Sequence, residues 1–346
     1  MTRSALEGPT LDPTPIFELF RGSYATELLT AAVAHFGVFE RLADGAKSAN
    51  ALAAEIGLAA RPAVVLFTAL RAMKLLEIDE AGRLALAPIA REHLLRDAPF
   101  FVGDYVGLAA QAPGVVHMAE LLRNNGPKRR AETAFIFREE AHTAMEAEAS
   151  ARHLTLALAG RAKNVAPAVA DVVDASGAKT LLDLGGGTGI YSVALVQRNP
   201  HLRAVVFDRP EVLKVAAEMV AEYGVADRIE LMPGDMFVDP LPTGVDLVLL
   251  SNILHDWDVP ECTTLLKRSA AALAPGRRVL IHDVFLNDAL DGPLPIALYS
   301  AALFSLTEGR AYSAAEYRAM LAEAGLVGGE VRPTAIHCGV LAALAR

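Results

Sequence analysis

A series of polar clusters interrupts the apolar segments of the C-terminal half, each where a predicted strand stops. The first, Asp183 through Gly189 in LLDLGGGTG, places an acid and a run of glycines directly before a helix that opens near Ile190. Glycines at such a point let main chain approach a bulky ligand at the carboxyl edge of a sheet, where doubly wound folds bind nucleotides. A dinucleotide fingerprint G-x-G-x-x-G would need a third glycine at 190 or 192, and the chain has Ile190 and Ser192 there. What fits is acid-x-G-x-G-x-G, with Asp183, Gly185 and Gly187 as its first members. The second cluster is Asp208-Arg209 in VVFDRPEV. About 20 residues beyond the glycines, a carboxylate can accept hydrogen bonds from both hydroxyls of a ribose. Asp208 equally suits the N-cap of a helix beginning near Pro210, so both roles stand open. In the third, Gly234-Asp235-Met236-Phe237, the acid can accept from an adenine amino group while Met236 and Phe237 supply apolar faces for the ring. Standing alone, that cluster reads as an ordinary turn.

The fourth cluster, SNILHDWD from Ser251 to Asp258, follows the apolar run VDLVLL and holds the only tryptophan of the chain, Trp257. His255 is the candidate general base, since an imidazole of pKa about 6.5 can take a proton at neutral pH when a carboxylate fixes its tautomer. Asp283, near the end of the next strand in VLIHDVF, is the expected carboxylate, and Asp256 is expected to point elsewhere. The alternative is a structural histidine at a strand end, with Asp258 merely capping the helix that starts near Val259. His282, His201 and His337 have no comparable context and read as incidental.

With 346 residues and 53% hydrophobic composition, the chain exceeds one ordinary core and predicts two domains, or one with a large helical extension. A net charge of -9 gives no electrostatic reason to bind nucleic acid or an anionic membrane surface. The basic run Lys128-Arg129-Arg130 reads as a solvated loop. Cys262 and Cys338 are far apart and offer no metal-ligand spacing, so no metal site is expected. The N-terminal stretch MTRSALEGPTLDPTP lacks the apolar core of a signal peptide, and no segment has about 18 uninterrupted apolar residues. A soluble, cytoplasmic protein is the expectation.

From about Pro15 to Lys179 the apolar residues recur at helical spacing, as in Leu66, Leu70, Met73 and Leu76. Beyond Thr180, short apolar runs alternate with helix-length segments, which predicts an α/β fold with a doubly wound, mostly parallel sheet. The expected division is 1–105, a winged-helix-like domain; 106–175, a helical connector; and 176–346, the α/β domain. In the first of these, residues 50–87 read as helix, turn at Gly57, a second helix from Pro62 to Leu76, and a hairpin around Ala81-Gly82. Apart from Arg71 and Lys74 that second helix is nearly all apolar, which suits packing or dimerisation far better than base readout.

Taken together and in order, LLDLGGGTG, FDRPEV, GDMF and HDW closely resemble the small-molecule O-methyltransferases that include caffeate-type, acetylserotonin and bacterial antibiotic- and phenazine-tailoring enzymes. The resemblance covers nearly the whole chain. It implies a Rossmann-like catalytic domain behind a winged-helix dimerisation domain, a homodimer, and S-adenosylmethionine as cofactor without a metal. Position by position, it puts the glycine loop at Gly185–Gly189, the ribose acid at Asp208 and adenine contacts at Asp235, Met236 and Trp257. Ser251 falls where plant members carry a lysine near the cofactor, and His255 is the base. Of the two glutamates that flank the base in plant members, one falls on Asp283 and the other on Ala311, with Glu308 close by as a substitute. The acceptor pocket is expected from residues 135–163 and 295–306, with Met145, Leu158, Tyr299 and Phe304 as lining. The reaction expected is methylation of a hydroxyl on a flat aromatic acceptor in secondary metabolism. C- or N-methylation, a non-methylating reaction on the same scaffold, and a ligand- or DNA-binding regulator are the rival readings.

Overall fold

The computed structural model describes residues 3–127 and 148–345. Met145, the run Lys128-Arg129-Arg130 and the first part of the expected acceptor region lie outside them. Two compact units emerge, one from residues 1–17, 132–285 and 312–346, the other from 18–131 and 286–311. This division differs from 1–105, 106–175 and 176–346: the stretch 1–17 goes with the α/β unit, the expected connector is split between the two, and 286–311 joins the helical unit. The helix Glu148–Val172 buries Val165, Ala166 and Val169 and packs on helices Ile190–Arg198 and Pro210–Glu222, so the last part of the expected connector belongs to the α/β unit, whereas its helix Pro113–Arg123 belongs to the helical one. The helix Leu294–Leu306 is apolar on all sides and packs on the helix Ala60–Ala72, so it is a core helix of the helical unit.

In the helical unit, Ser48 caps the helix Ala49–Glu55 by accepting from Ala51 N–H at 3.2 Å. Gly57, at φ +70°, makes the turn into Ala60–Ala72. That second helix stops before Met73 rather than at Leu76, because Lys74 adopts φ +63° and turns the chain into a hairpin. Strands β1 (Leu76–Ile78) and β2 (Leu84–Leu86) pair antiparallel around Gly82. Leu28, Leu66, Leu70, Leu86, Leu122 and Phe304 are among the buried side chains of this core.

The α/β unit is built on one sheet. Its strands are β3 (Thr180–Leu184), β4 (Arg203–Asp208), β5 (Ile229–Pro233), β6 (Val245–Ser251), β7 (Leu273–Leu286), β8 (Tyr312–Ser313), β9 (Leu326–Pro333) and β10 (Cys338–Ala345). The order is β5-β4-β3-β6-β7-β10-β9, with β8 beside β7. The first five in that order run parallel and β10 runs antiparallel to both its neighbours. Strand β6 is apolar from Leu247 to Leu250, the pattern of a buried central strand in a parallel sheet. Asp246 pins its start, accepting from the N–H groups of Lys179 and Thr180 at 2.7 and 3.0 Å and from Arg277 at 2.8 Å. The order reverses between β3 and β6, the topological switch point where open α/β sheets bind ligands. Every cluster singled out in this half lies at the carboxyl ends of β3 to β7. Among the described residues no single helix is long and apolar enough to cross a membrane.

After β8 a capping box starts the helix Ala314–Glu323: Ser313 Oγ accepts from Glu316 N–H at 3.2 Å and Glu316 returns the bond to Ser313 N–H at 2.9 Å. Ser313→Ala removes one half of that exchange and is expected to lower the unfolding free energy by ~1 kcal/mol, measured by denaturant titration.

Candidate active site

Beyond Leu184 the chain turns through Gly185, Gly187 and Gly189 with φ of +71°, +59° and +70°. At Gly185 a side chain would also meet Ile253 at 2.5 Å, so glycine is required there twice over. At Gly187 nothing lies within 4 Å of where a side chain would stand, which marks the open side of the loop. Its N–H donates to Asp208 Oδ2 at 2.8 Å. Ser192, the residue that spoils a dinucleotide fingerprint, donates its hydroxyl to Asp183 Oδ2 at 2.7 Å. Burial pushes the Asp183 carboxyl up to about 7, with the Ser192 bond working against it.

Asp208 does not cap the helix Pro210–Glu222, which opens without any side-chain cap. Its carboxylate instead spans the N–H groups of Gly187 and Arg209, at 2.8 and 2.7 Å, and joins the glycine loop to the end of β4. Burial raises its pKa and those two N–H donors oppose the rise. Arg209 Nη2 reaches Asp235 Oδ2 at 3.0 Å, and Asp235 Oδ1 accepts from Phe237 N–H at 2.8 Å. Gly234 is required by contact, since a side chain there would stand 2.3 Å from the Phe207 ring. Phe237 meets buried Trp257 edge to face, with ring centroids 4.6 Å apart. An open-faced main-chain loop, a carboxylate beside it, and the thioether and aromatic faces of Met236, Phe237 and Trp257 thus lie along four neighbouring strand ends. That donor set fits an adenosine-bearing cofactor.

His255 stands in one turn of 3-10 helix, Leu254–Asp256. Its Nδ1 lies 2.5 Å from Asp283 Oδ1, which also accepts from Val284 N–H at 2.8 Å. The other carboxylate oxygen, Asp283 Oδ2, accepts the hydroxyl of Tyr317 at 3.1 Å. All three side chains are buried. Asp256, expected to point away, has Oδ1 3.5 Å from His255 Nε2. The tight 3-10 turn causes this, where a continued strand would have sent adjacent side chains to opposite faces. Burial works against charge on His255, but Asp283 and Asp256 outweigh burial and hold its pKa above the ordinary histidine value, with Arg161 opposing them. Burial lifts Asp256 to about 6. At Asp283 burial is more than offset by His255 and the Val284 N–H, and its carboxyl lies below the usual range.

Ser251 Oγ is bonded to His282 Nδ1 at 2.7 Å and accepts from Asn252 Nδ2 at 3.1 Å. His282 is therefore not incidental: it is paired across β6 and β7, meets Tyr191 edge to face at 5.0 Å, and is pushed by burial down to about 3, so it stays neutral. Asp258 does cap its helix, accepting from Val259 N–H at 2.9 Å. Glu308 belongs to the helical unit, where its main-chain carbonyl accepts from the Arg61 guanidinium. Of the expected lining residues, Leu158 is exposed on its helix and Tyr299 carries the Arg21 guanidinium 4.9 Å from its ring centre. Phe304 corrects the expectation, since its ring is wholly buried in the helical core rather than lining a cavity. Ala311, standing where a second glutamate was expected, is buried with its N–H on Ser300 Oγ.

Sequence reasoning missed Tyr317, Asp256, His282 and Ser192. Only Ser192 had a legible signal, one turn into the helix beyond an acid that needs a donor.

The O-methyltransferase domain family matches residues 115–327. A 3-hydroxy-5-methyl-1-naphthoate 3-O-methyltransferase of Streptomyces sahachiroi is 36% identical over 90% of this chain and 89% of its own. An L-tyrosine C(3)-methyltransferase of Streptomyces lavendulae is 32% identical over 91% and 87%. Among solved structures, an O-methyltransferase family 2 protein from Planctomyces limnophilus in complex with apigenin is 47% identical, with a TM-score of 0.90 over 100% of this chain and 99% of that one. Human N-acetylserotonin methyltransferase in complex with S-adenosylmethionine is 25% identical, with a TM-score of 0.60 over 98% and 99%.

Asp283→Asn removes the charge that does most to favour imidazolium while leaving burial in place. The His255 pKa is expected to fall below its wild-type value in an NMR titration of histidine-labelled protein; an unchanged value would remove Asp283 as its partner.

Proposed function

The chain belongs to the O-methyltransferase family, whose chemistry depends on S-adenosylmethionine, and on that premise we propose that it methylates a hydroxyl of an aromatic small molecule with His255 as general base. The observation that carries this reading is the 2.5 Å contact of His255 Nδ1 with Asp283. With its hydrogen held on Nδ1, neutral His255 offers Nε2 as the basic atom.

The cofactor, when bound, supplies a methyl group already activated on a sulfonium. Gly185 to Gly189, Asp208, Asp235, Met236 and Trp257 are the residues that would hold it. A phenol of pKa about 10 is a poor nucleophile until its proton leaves. His255 Nε2 takes that proton, and Asp283 and Asp256 stabilise the imidazolium that results. The oxygen so deprotonated would be the nucleophile toward the methyl group that the bound cofactor supplies. Holding oxygen, carbon and sulfur in line accounts for much of the rate.

An aromatic acceptor is supported by the naphthoate in the name of the Streptomyces relative and the apigenin in the Planctomyces complex. A homodimer is part of the same reading, supported by the family resemblance and by Ile16, Leu19 and Phe20, exposed together on the helix Thr14–Arg21.

The test incubates the protein with methyl-labelled S-adenosylmethionine and a panel of hydroxynaphthoates, flavones and catechols, and locates the label by mass spectrometry. An O-methylated product is expected. Methyl on a ring carbon would favour the reaction of the tyrosine C(3)-methyltransferase relative, and cofactor binding without transfer would overturn the proposal. His255→Ala is expected to lose 10²- to 10⁴-fold in turnover while retaining cofactor. Because only neutral His255 can accept a proton and its carboxylates raise its pKa, kcat/KM should rise with pH along a limb centred above about 6.5. A limb below that value would exclude His255 as the base.

A further inference from the structure

Resting on the reading of His255 as base, we infer that Tyr317 is a positioning residue for this reaction, supplying from the opposite side of Asp283 the support that a glutamate near position 311 would otherwise give to His255. Two features make this specific. Asp283 is a buried carboxylate whose Oδ1 is shared between His255 Nδ1 and Val284 N–H. Without a donor on Oδ2 the group could swing about its terminal torsion and lose the line to Nδ1, since that torsion is soft. Tyr317 closes Oδ2 at 3.1 Å with a phenol whose pKa burial and the neighbouring Asp283 charge drive far upward, so it is a donor at every working pH.

Tyr317 is itself held on several sides. It lies one residue past Glu316 in the capping box that starts its helix. Its ring meets Phe285 edge to face at 5.6 Å and is tilted against Tyr312 at 5.4 Å. Tyr312 in turn donates its hydroxyl to the Trp257 carbonyl at 2.7 Å, two residues beyond His255. The segment 312–317 therefore grips both the carboxylate and the turn that carries the imidazole. Tyr312 bears on the turn's backbone, and only Tyr317 bears on the charge.

The charged and titratable groups facing His255 are Asp283 on β7, Asp256 in its own turn, and Arg161 on the helix Glu148–Val172, with neutral His282 alongside Asp283. Tyr317 withdraws charge from Asp283. Its removal leaves that carboxylate more basic, so the His255–Asp283 pair binds its proton more tightly and titrates at higher pH.

The experiment is NMR of the full-length protein labelled with ¹⁵N-histidine, the His255 resonances being assigned by their loss in His255→Ala. In the wild type the neutral ring is expected to carry hydrogen on Nδ1. In Tyr317→Phe the titration is expected to move upward by about half a unit or more, or the neutral ring to populate the Nε2–H tautomer. Tyr312→Phe, which loses a hydroxyl of the same size from the same cluster, is expected to move neither. A Tyr317→Phe titration and tautomer matching wild type overturn the inference, as does an equal effect in Tyr312→Phe. Because these readouts need no acceptor, they separate from the base assignment: full methyl transfer by His255→Ala would defeat the base reading whatever Tyr317→Phe does to the ring.

Discussion

Asp283 bears its charge where no water can reach it, and a buried carboxylate persists only where donors surround it. His255, Val284 and Tyr317 are those donors, each from a different stretch of chain. Much of the α/β unit's architecture can be read as the means of bringing them together. Strand β7 carries Asp283 and Val284 beside β6, whose exit turn presents His255. The β8 strand and the helix that follows return the chain from position 312 to bring Tyr317 against the far oxygen. Breaking any one of these would leave the buried carboxylate short of a donor.

The same economy of donors governs the other end of the site. Asp208 could have capped a helix and instead ties the glycine loop to β4 through Gly187. Arg209 links that strand end to Asp235 on the next. The proposed cofactor side is thus a connected run of main-chain and carboxylate contacts across β3, β4 and β5. The His255–Asp283 pair lies at the ends of β6 and β7, across the switch point of the sheet from that run.

The parts of the site that were legible are those whose chemistry is local. LLDLGGGTG reads correctly because left-handed turns and a close main-chain approach demand glycine at those very positions. VVFDRPEV and GDMF were legible as strand ends beside the glycine loop because parallel register aligns their acids. Asp283 was recognisable as the acid next to a candidate base on a neighbouring strand. Tyr317 was not, since its bond to Asp283 spans 34 positions and depends on where a helix begins rather than on any spacing. Asp256 was expected to point elsewhere, but a 3-10 turn brings adjacent side chains closer than a strand would and sets it beside the imidazole. His282 was read as incidental because the pairing of Ser251 with it is a matter of sheet register.

From residue order alone came the two fold classes along the chain, the glycine loop with its acids, and the histidine proposed as base. These follow from periodicity and from constraints that single residues carry with them. Only the tertiary structure decided that the helix 294–306 belongs to the helical core, that Ser251 bonds to His282, and that Tyr317 completes the buried acid. Such choices depend on which side chains meet across strands and helices far apart in sequence, and burial penalises any polar group left without a partner there.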